Sequence, residues 1–176
     1  PRLTFEGGKK EIMELGSINQ QGTQKVFLVS TTHGGETAPI GAALATMNVF
    51  ETNKVIEHNH NIGDYFITGV NKILLEEGVQ DYFDITGFNW SVGLVVKNKE
   101  KQPCMFFRTL FMQEMIKRGI LYQGILSPCF SHTKEDMDWM LEAFSESVQV
   151  LKKALEDGYS KYLIGPEIKP VFRKYN

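Results

Sequence analysis

The sequence TKEDMDWMLEAFSESVQVLKKALEDG, residues 133–158, contains the clearest helix of this chain. Thr133 and Asp136 approximate a capping box in which Asp stands where Glu or Gln is usual. Gly158 suits the position that follows a helix. Between these ends, apolar residues recur at steps that predict one buried helix face; they are Met137, Met140, Leu141, Phe144, Val148, Leu151 and Leu155.

Helical and extended patterns alternate before this helix. Apolar spacing predicts two further helices, one from about residue 62 to Gly78 and one from about residue 105 to Gly119. Three segments favour strands, at residues 82–85, 91–96 and 120–126. This order predicts an α+β fold class, with helices on one face of a small, mostly antiparallel sheet.

A hydroxyl-rich and glycine-rich junction, Ser30-Thr31-Thr32-His33-Gly34-Gly35-Glu36-Thr37-Ala38-Pro39, joins a predicted strand at residues 26–29 to another helix. The hydroxyls of Thr31 and Thr32, the free N–H groups near the glycines and the helix N-terminus together suit a phosphate group. The other interpretation is a cap that only starts the helix. The junction lacks the lysine of a P-loop and the spacing of a dinucleotide-binding motif.

The helix after this junction has an apolar stripe and several small residues, which predicts that it is largely buried. Residues 57–61, which are polar, are predicted to separate it from the next helix. His58 and His60 lie two positions apart, which does not suit a metal pair on one helix face, and we expect both to be solvated. Ser131 and His132 are adjacent and point to opposite faces of an extended chain, so they do not form a nucleophile and base pair.

Composition excludes several classes of protein. The 176 residues carry a formal net charge of -2, which offers no footprint for nucleic acid or an anionic membrane. Cys104 and Cys129 are too few for a disulfide scaffold and are expected to be buried thiols. No apolar run reaches the roughly 20 residues that span a bilayer, and the N-terminus lacks a signal pattern. We expect a cytoplasmic protein that binds neither nucleic acid nor membrane.

Several segments resemble the class III aminotransferases, with the glutamate-1-semialdehyde 2,1-aminomutase branch as the most similar. Near the start these are GGKKEIME, THGGE and AALATMNVFE at residues 7–14, 32–36 and 42–51. The resemblance continues through MIKRGI at residues 115–120 and SHTKEDMD at residues 131–138. It covers the chain from about residue 7 to 157, and the order and spacing of the segments are its most specific feature.

The resemblance implies the C-terminal portion of a fold-type I enzyme that depends on pyridoxal 5'-phosphate. Such enzymes have a large cofactor domain and a smaller C-terminal domain, and they work as homodimers with shared active sites on a small-molecule amino acid or amino aldehyde. Thr32 stands where the family's Thr reaches the cofactor phosphate of the neighbouring subunit, with Thr31 beside it. His33 occupies a variable position and receives no catalytic role.

The domain division implied by the resemblance has four parts. Residues 1–36 would be the remnant of the large cofactor domain, residues 37–60 a linking helix, residues 61–158 the small C-terminal domain and residues 159–176 a surface tail. Because the chain begins with Pro1 and its first 35 residues supply one strand at most, we expect a domain upstream.

The resemblance places the covalent lysine before Gly7, so we predict no catalytic residue and no metal ligand in this chain. Lys9 and Lys10 match a charged pair that begins a surface helix. No arginine stands out as a carboxylate ligand; Arg108 and Arg118 lie on a predicted helix and Arg173 in the tail, so we expect surface roles for them. The predicted function is amino-group transfer by an aminotransferase or aminomutase, and the alternative is a noncatalytic α+β domain that binds a partner.

Overall fold

The structure, a computed structural model, describes residues 36–169. The chain divides into two compact units, Pro1–Glu51 and Thr52–Asn176, and each is described by itself. The predicted strand at residues 26–29 and the predicted phosphate ligands Thr31 and Thr32 lie outside the described residues. The four-part domain division stays a prediction.

Helix α1, Thr37–Thr52, makes up nearly all of the described part of the first unit and ends at the boundary with the second. Pro39 lies in its first turn, where backbone N–H groups have no carbonyl within the helix to donate to. Because proline has no N–H, it therefore costs no helical hydrogen bond at this position. No residue of α1 is buried, and Leu44 in its apolar stripe is 61% exposed. The prediction that this helix is largely buried is therefore wrong for the described structure, because apolar periodicity identifies a face but not an element that covers it.

A three-stranded antiparallel sheet forms the centre of the second unit. Its strands are β1, Phe83–Phe88, β2, Ser91–Val96, and β3, Ile125–Leu126, in the order β1-β2-β3. Phe88 is opposite Ser91, so β1 and β2 form a hairpin with a two-residue turn. The sheet confirms the predicted antiparallel pairing, but the extended pattern at residues 120–126 produces a strand of only two residues.

Three helices accompany this sheet: α2, Val55–Glu76, α3, Met105–Lys117, and α4, Lys134–Asp157. Short 3-10 helices precede β1 at Gln80–Tyr82 and follow α4 at Tyr159–Lys161. Alternate residues of β2 are buried with the apolar faces of the helices in one core; they are Val92, Leu94 and Val96. The predicted α+β layer is confirmed in this part of the chain.

The start of α2 corrects one prediction. Residues 57–61, predicted to separate two helices, lie inside α2, which begins at Val55. Val55 and Ile62 are buried on one side of this helix, and His58 and Asn59, which share that side by helical spacing, are half-buried. Tertiary burial of a few flanking residues outweighs low local propensity in such a stretch.

The beginning of α4 is fixed by the predicted capping box. The Thr133 hydroxyl accepts the Asp136 N–H at 3.2 Å, and the Asp136 carboxylate accepts the Thr133 N–H at 2.8 Å. The backbone N–H and then the hydroxyl of Thr133 hold the pKa of Asp136 below its usual range. The helix continues to Asp157, and Gly158 follows it with a φ of 93°, as predicted.

The hairpin turn lies directly against α2. A Cβ atom added to Gly63 would lie 1.6 Å from the carbonyl oxygen of Asn89 in the turn. The Asn89 amide also donates to the Asp64 carboxylate at 2.9 Å. Glycine at position 63 therefore permits a backbone contact between helix and hairpin that no other residue would allow.

We predict that Gly63→Ala lowers the free energy of unfolding by about 2 kcal/mol, because the steric displacement of the turn exceeds the gain in helix propensity. Urea unfolding followed by circular dichroism measures the change. Gly41→Ala is the matched control, since Gly41 is also helical and has nothing within 4 Å of the added atom. Equal stability of Gly63→Ala and the wild type would contradict the predicted clash.

Glu114 is a buried carboxylate on α3, only 4% exposed. Burial opposes its ionisation, but hydrogen bonds from Lys117, Gln113 and Arg118 outweigh burial and hold its pKa below the usual value. Arg118 is 2.9 Å from Glu114 and also 2.7 Å from Glu146, so it joins α3 to α4. The expected surface role of Arg118 is therefore replaced by a structural one.

Removal of this carboxylate charge should destabilise the fold. Glu114→Gln is expected to cost about 2 kcal/mol near neutral pH, because it weakens charge-assisted hydrogen bonds at a buried site. The depressed pKa means that this contribution is present above the unfolded value of about 4.3 and is lost as pH falls through the lower folded value.

The measurement is urea unfolding of the wild type and variant across the acid range. Their difference in unfolding free energy should shrink as pH falls below about 4. Glu142→Gln, which removes an exposed carboxylate from α4, is the control and should change stability little. A pH-independent difference would show that charge is not the source of the effect.

The segment after α4 lies along α3. The Gln113 side chain donates to the Tyr162 carbonyl at 2.9 Å and accepts the Ile164 N–H at 2.9 Å. Further along, the Ile168 N–H donates to the Thr109 hydroxyl at 3.0 Å. The described part of the predicted surface tail is thus attached to one helix by hydrogen bonds.

Candidate functional site

A cleft of about 360 Å³ lies against the sheet and the N-terminal turns of α3. It is lined by Ser91, Gly93 and Val95, which alternate with the buried residues of β2. Thr86 of β1 and Ile125 of β3 also line it. The pairing of all three strands thus brings the hydroxyls of Thr86 and Ser91 and the apolar side chains of Val95 and Ile125 to the same opening.

Glycines keep this cleft open. Gly93 is opposite Thr86 in the hairpin, and a Cβ atom at position 93 would lie 2.6 Å from the Thr86 hydroxyl oxygen. Gly124 has a φ of 103°, and a Cβ atom there would lie 3.0 Å from Nη2 of Arg108. Side chains at these positions would displace the groups that line the opening.

Arg108 is the cation of the cleft. Its Nη2 donates to the Gln123 carbonyl at 3.0 Å, and its Nε is buried without a hydrogen-bond partner. Within residues 36–169 no carboxylate forms an ion pair with it. Arg118 by contrast forms ion pairs with two carboxylates, whereas Arg108 is half-buried at the cleft rather than fully on the surface as expected.

Tyr122 is a second buried polar group close to Arg108. Burial raises the pKa of its phenol far above the ordinary value, while the charge of Arg108 acts in the opposite direction. The hydroxyl remains protonated and has no hydrogen-bond partner among the described residues. An unpaired buried hydroxyl is unfavourable, so this group is a source of instability in the fold.

We predict that Tyr122→Phe raises the free energy of unfolding by about 1 kcal/mol, because the variant removes an unsatisfied hydroxyl and keeps the buried ring. Urea unfolding measures the effect. Tyr162→Phe is the control, because that hydroxyl donates to Asp157 at 2.9 Å, and it should bring no gain. A loss of stability in Tyr122→Phe would indicate that its hydroxyl is bonded.

The histidines form a contact that the sequence analysis missed. Nε2 of His58 is 2.9 Å from the carbonyl oxygen of His132, and the His58 ring meets Phe130 edge-on at 5.3 Å. The Cys129 N–H donates to Nδ1 of His132 at 3.1 Å. His58 is half-buried and bonded rather than simply solvated.

The cysteines also differ from their prediction. Cys104 is half-buried and Cys129 is exposed, so the expectation of two buried thiols is wrong. Cys129 lies in the loop before α4, where apolar neighbours in sequence do not imply a core position. In the part of the chain that the structure describes, no group of three or more His, Cys, Asp or Glu residues could hold a metal ion.

A larger cleft of about 480 Å³ lies beside the C-terminal end of α4. Its walls include Cys104 and the rings of Phe106 and Tyr159, which stack at 4.3 Å. Its charged wall residues in the described structure, Lys99 and Glu100, are both exposed and of opposite sign, so the smaller cleft with its half-buried Arg108 is the better candidate for chemistry. None of the helices within residues 36–169 is long and apolar enough to cross a bilayer.

The junction that sequence analysis identified as a phosphate site ends where α1 begins. Thr31 and Thr32 precede the described residues, while Thr37 is the first helical residue and the Ile40 N–H bonds to the Glu36 carbonyl at 3.1 Å. A helix therefore starts at the place that the phosphate hypothesis requires. The roles of Thr31 and Thr32 stay predictions.

Comparison with known proteins gives two relatives. The chain is 30% identical over 152 residues to 3-aminobutyryl-CoA aminotransferase of Cloacimonas acidaminovorans, covering 84% of this chain and 34% of the relative. It is 29% identical over 161 residues to glutamate-1-semialdehyde 2,1-aminomutase of Archaeoglobus fulgidus, covering 81% and 35%. No family model matches the chain.

The chain spans about a third of the length of the curated relatives it matches. Both matches fit a C-terminal part of a class III pyridoxal-phosphate enzyme, which confirms the resemblance predicted from the sequence. One relative is an aminotransferase and the other an aminomutase, so the matches support the family and leave the reaction open between the two.

Proposed function

We propose that this chain is part of a pyridoxal-phosphate-dependent enzyme that moves an amino group, either between two molecules or between two carbons of one molecule. The observation that carries the proposal is the similarity to an aminotransferase and an aminomutase over more than four-fifths of this chain. When bound, the cofactor would supply the electron sink for this chemistry. The substrate would be a small amino acid or amino aldehyde.

The role proposed for this chain is to hold the cofactor phosphate. Thr32 and Thr31 would donate hydroxyl groups to the phosphate oxygens, and N–H groups near Gly34 and Gly35 would add to them. The start of α1 at Thr37 supports this role, because the N-terminus of a helix carries a partial positive charge. We further propose that the enzyme is a homodimer in which each chain binds the phosphate of the cofactor held by its partner. The proposed location of this homodimer is the cytoplasm.

The proposal predicts that Thr32→Val in the full-length protein weakens retention of pyridoxal phosphate by about tenfold, because a hydrogen bond to a charged group is lost. Equilibrium dialysis against the free cofactor measures retention. Thr46→Val is the matched control, since the Thr46 hydroxyl donates to the Ala42 carbonyl within α1 and should not touch the cofactor.

The two possible failures have different meanings. Full-length protein that retains no cofactor would refute the enzyme proposal and favour the noncatalytic partner-binding domain. Cofactor retained equally by the wild type and Thr32→Val would leave the enzyme proposal in place and remove the assignment of Thr32. The exposed aromatic pair at the hairpin, Phe88 stacked on Trp90 at 5.2 Å, is the observation that favours the partner-binding alternative.

A further inference from the structure

We propose that the cleft at Arg108 binds the carboxylate of a small molecule, with the Arg108 guanidinium as the anchor. This inference rests on the geometry of the cleft and does not depend on the proposed function. It concerns described residues only, and none of them belongs to the predicted phosphate junction.

Arg108 has hydrogen-bond donors that no described group uses. A guanidinium has five N–H groups, whereas the one hydrogen bond of Arg108 in the described structure joins Nη2 to the Gln123 carbonyl. Nε is buried, so the N–H groups left for a ligand are those of the two terminal nitrogens that the Gln123 carbonyl does not use. A planar anion with two oxygen atoms is the ligand that a guanidinium binds best.

The charge of the cleft matches that of a carboxylate. Among the described residues that line the cleft, Arg108 is the single cation and none is a carboxylate. Asp84, which precedes the cleft residue Thr86 by two positions on β1, is already paired with Lys97. One positive charge balances a carboxylate, whereas a phosphate dianion would exceed it. The charge therefore favours a carboxylate over a phosphate.

The residues that line the cleft and its volume suit a small organic ligand. The hydroxyls of Thr86 and Ser91 offer further donors, and the side chains of Val95 and Ile125 offer an apolar surface for the carbon atoms of a ligand. A volume of about 360 Å³ is near the lower end of the range for ligand pockets. The cleft suits a short carboxylic acid.

Propionate is the probe because it carries one carboxylate and a short apolar chain. Saturation-transfer difference NMR on the full-length protein, at constant ionic strength with chloride as the balancing salt, should show transfer to the propionate methyl group. Equimolar inorganic phosphate should displace little of the propionate, because the cleft holds one cation.

Two variants locate the binding. Arg108→Gln should weaken propionate binding by at least about tenfold, because the charged donor is removed. Ile125→Glu should abolish binding by placing a carboxylate at the opening, and this side chain is 62% exposed, so folding should be unaffected. Lys153→Gln on the exposed side of α4 removes the same charge as Arg108→Gln and is the control.

The results that support the carboxylate site differ from those that overturn it. Loss of transfer in Arg108→Gln and Ile125→Glu, with normal transfer in Lys153→Gln, would support the carboxylate site. Transfer that persists in Ile125→Glu would overturn it even if Arg108→Gln fails to fold. Absence of transfer in the wild type, or equal displacement by phosphate, would also overturn it.

Discussion

The contacts of one aromatic ring, Phe111, connect the layers of the second unit. Phe111 lies on α3 and meets Phe83 of β1, Phe144 of α4 and Tyr122 edge-on, with ring centres between 5.3 and 5.7 Å apart. Such edge contacts are favourable and directional. The helix that these contacts fix in place also carries Arg108, one turn before Phe111, to the cleft.

Much of this arrangement follows from local sequence rules. The capping box at Thr133 and the glycines at positions 78, 119 and 158 end or begin helices as predicted, because these effects involve neighbouring residues. The predictions failed where a distant element decides the outcome. The exposure of α1, the helical state of residues 57–61 and the exposure of Cys129 each depend on what lies opposite, which periodicity does not specify.

Of the two candidate sites, the sequence predicted one and not the other. The junction at Thr32 was identified from residue types and from a resemblance that the two relatives confirm at the level of the family. The cleft at Arg108 was missed, because an arginine on a helix is ordinary in sequence. Its significance lies in the absence of a carboxylate partner among the described residues and in Gly93 and Gly124, whose lack of side chains leaves the opening free.

The backbone contact between Gly63 and Asn89 has a consequence for motion. The carbonyl of Asn89 in the hairpin turn occupies the space that a side chain at Gly63 would fill. The backbone of the turn therefore contacts the backbone of α2 directly, with no side chain between them. The hairpin is thus held at its tip as well as along its ladder. Its amide hydrogens should exchange with solvent in step with those of α2, so that strand pair and helix open as one cooperative unit.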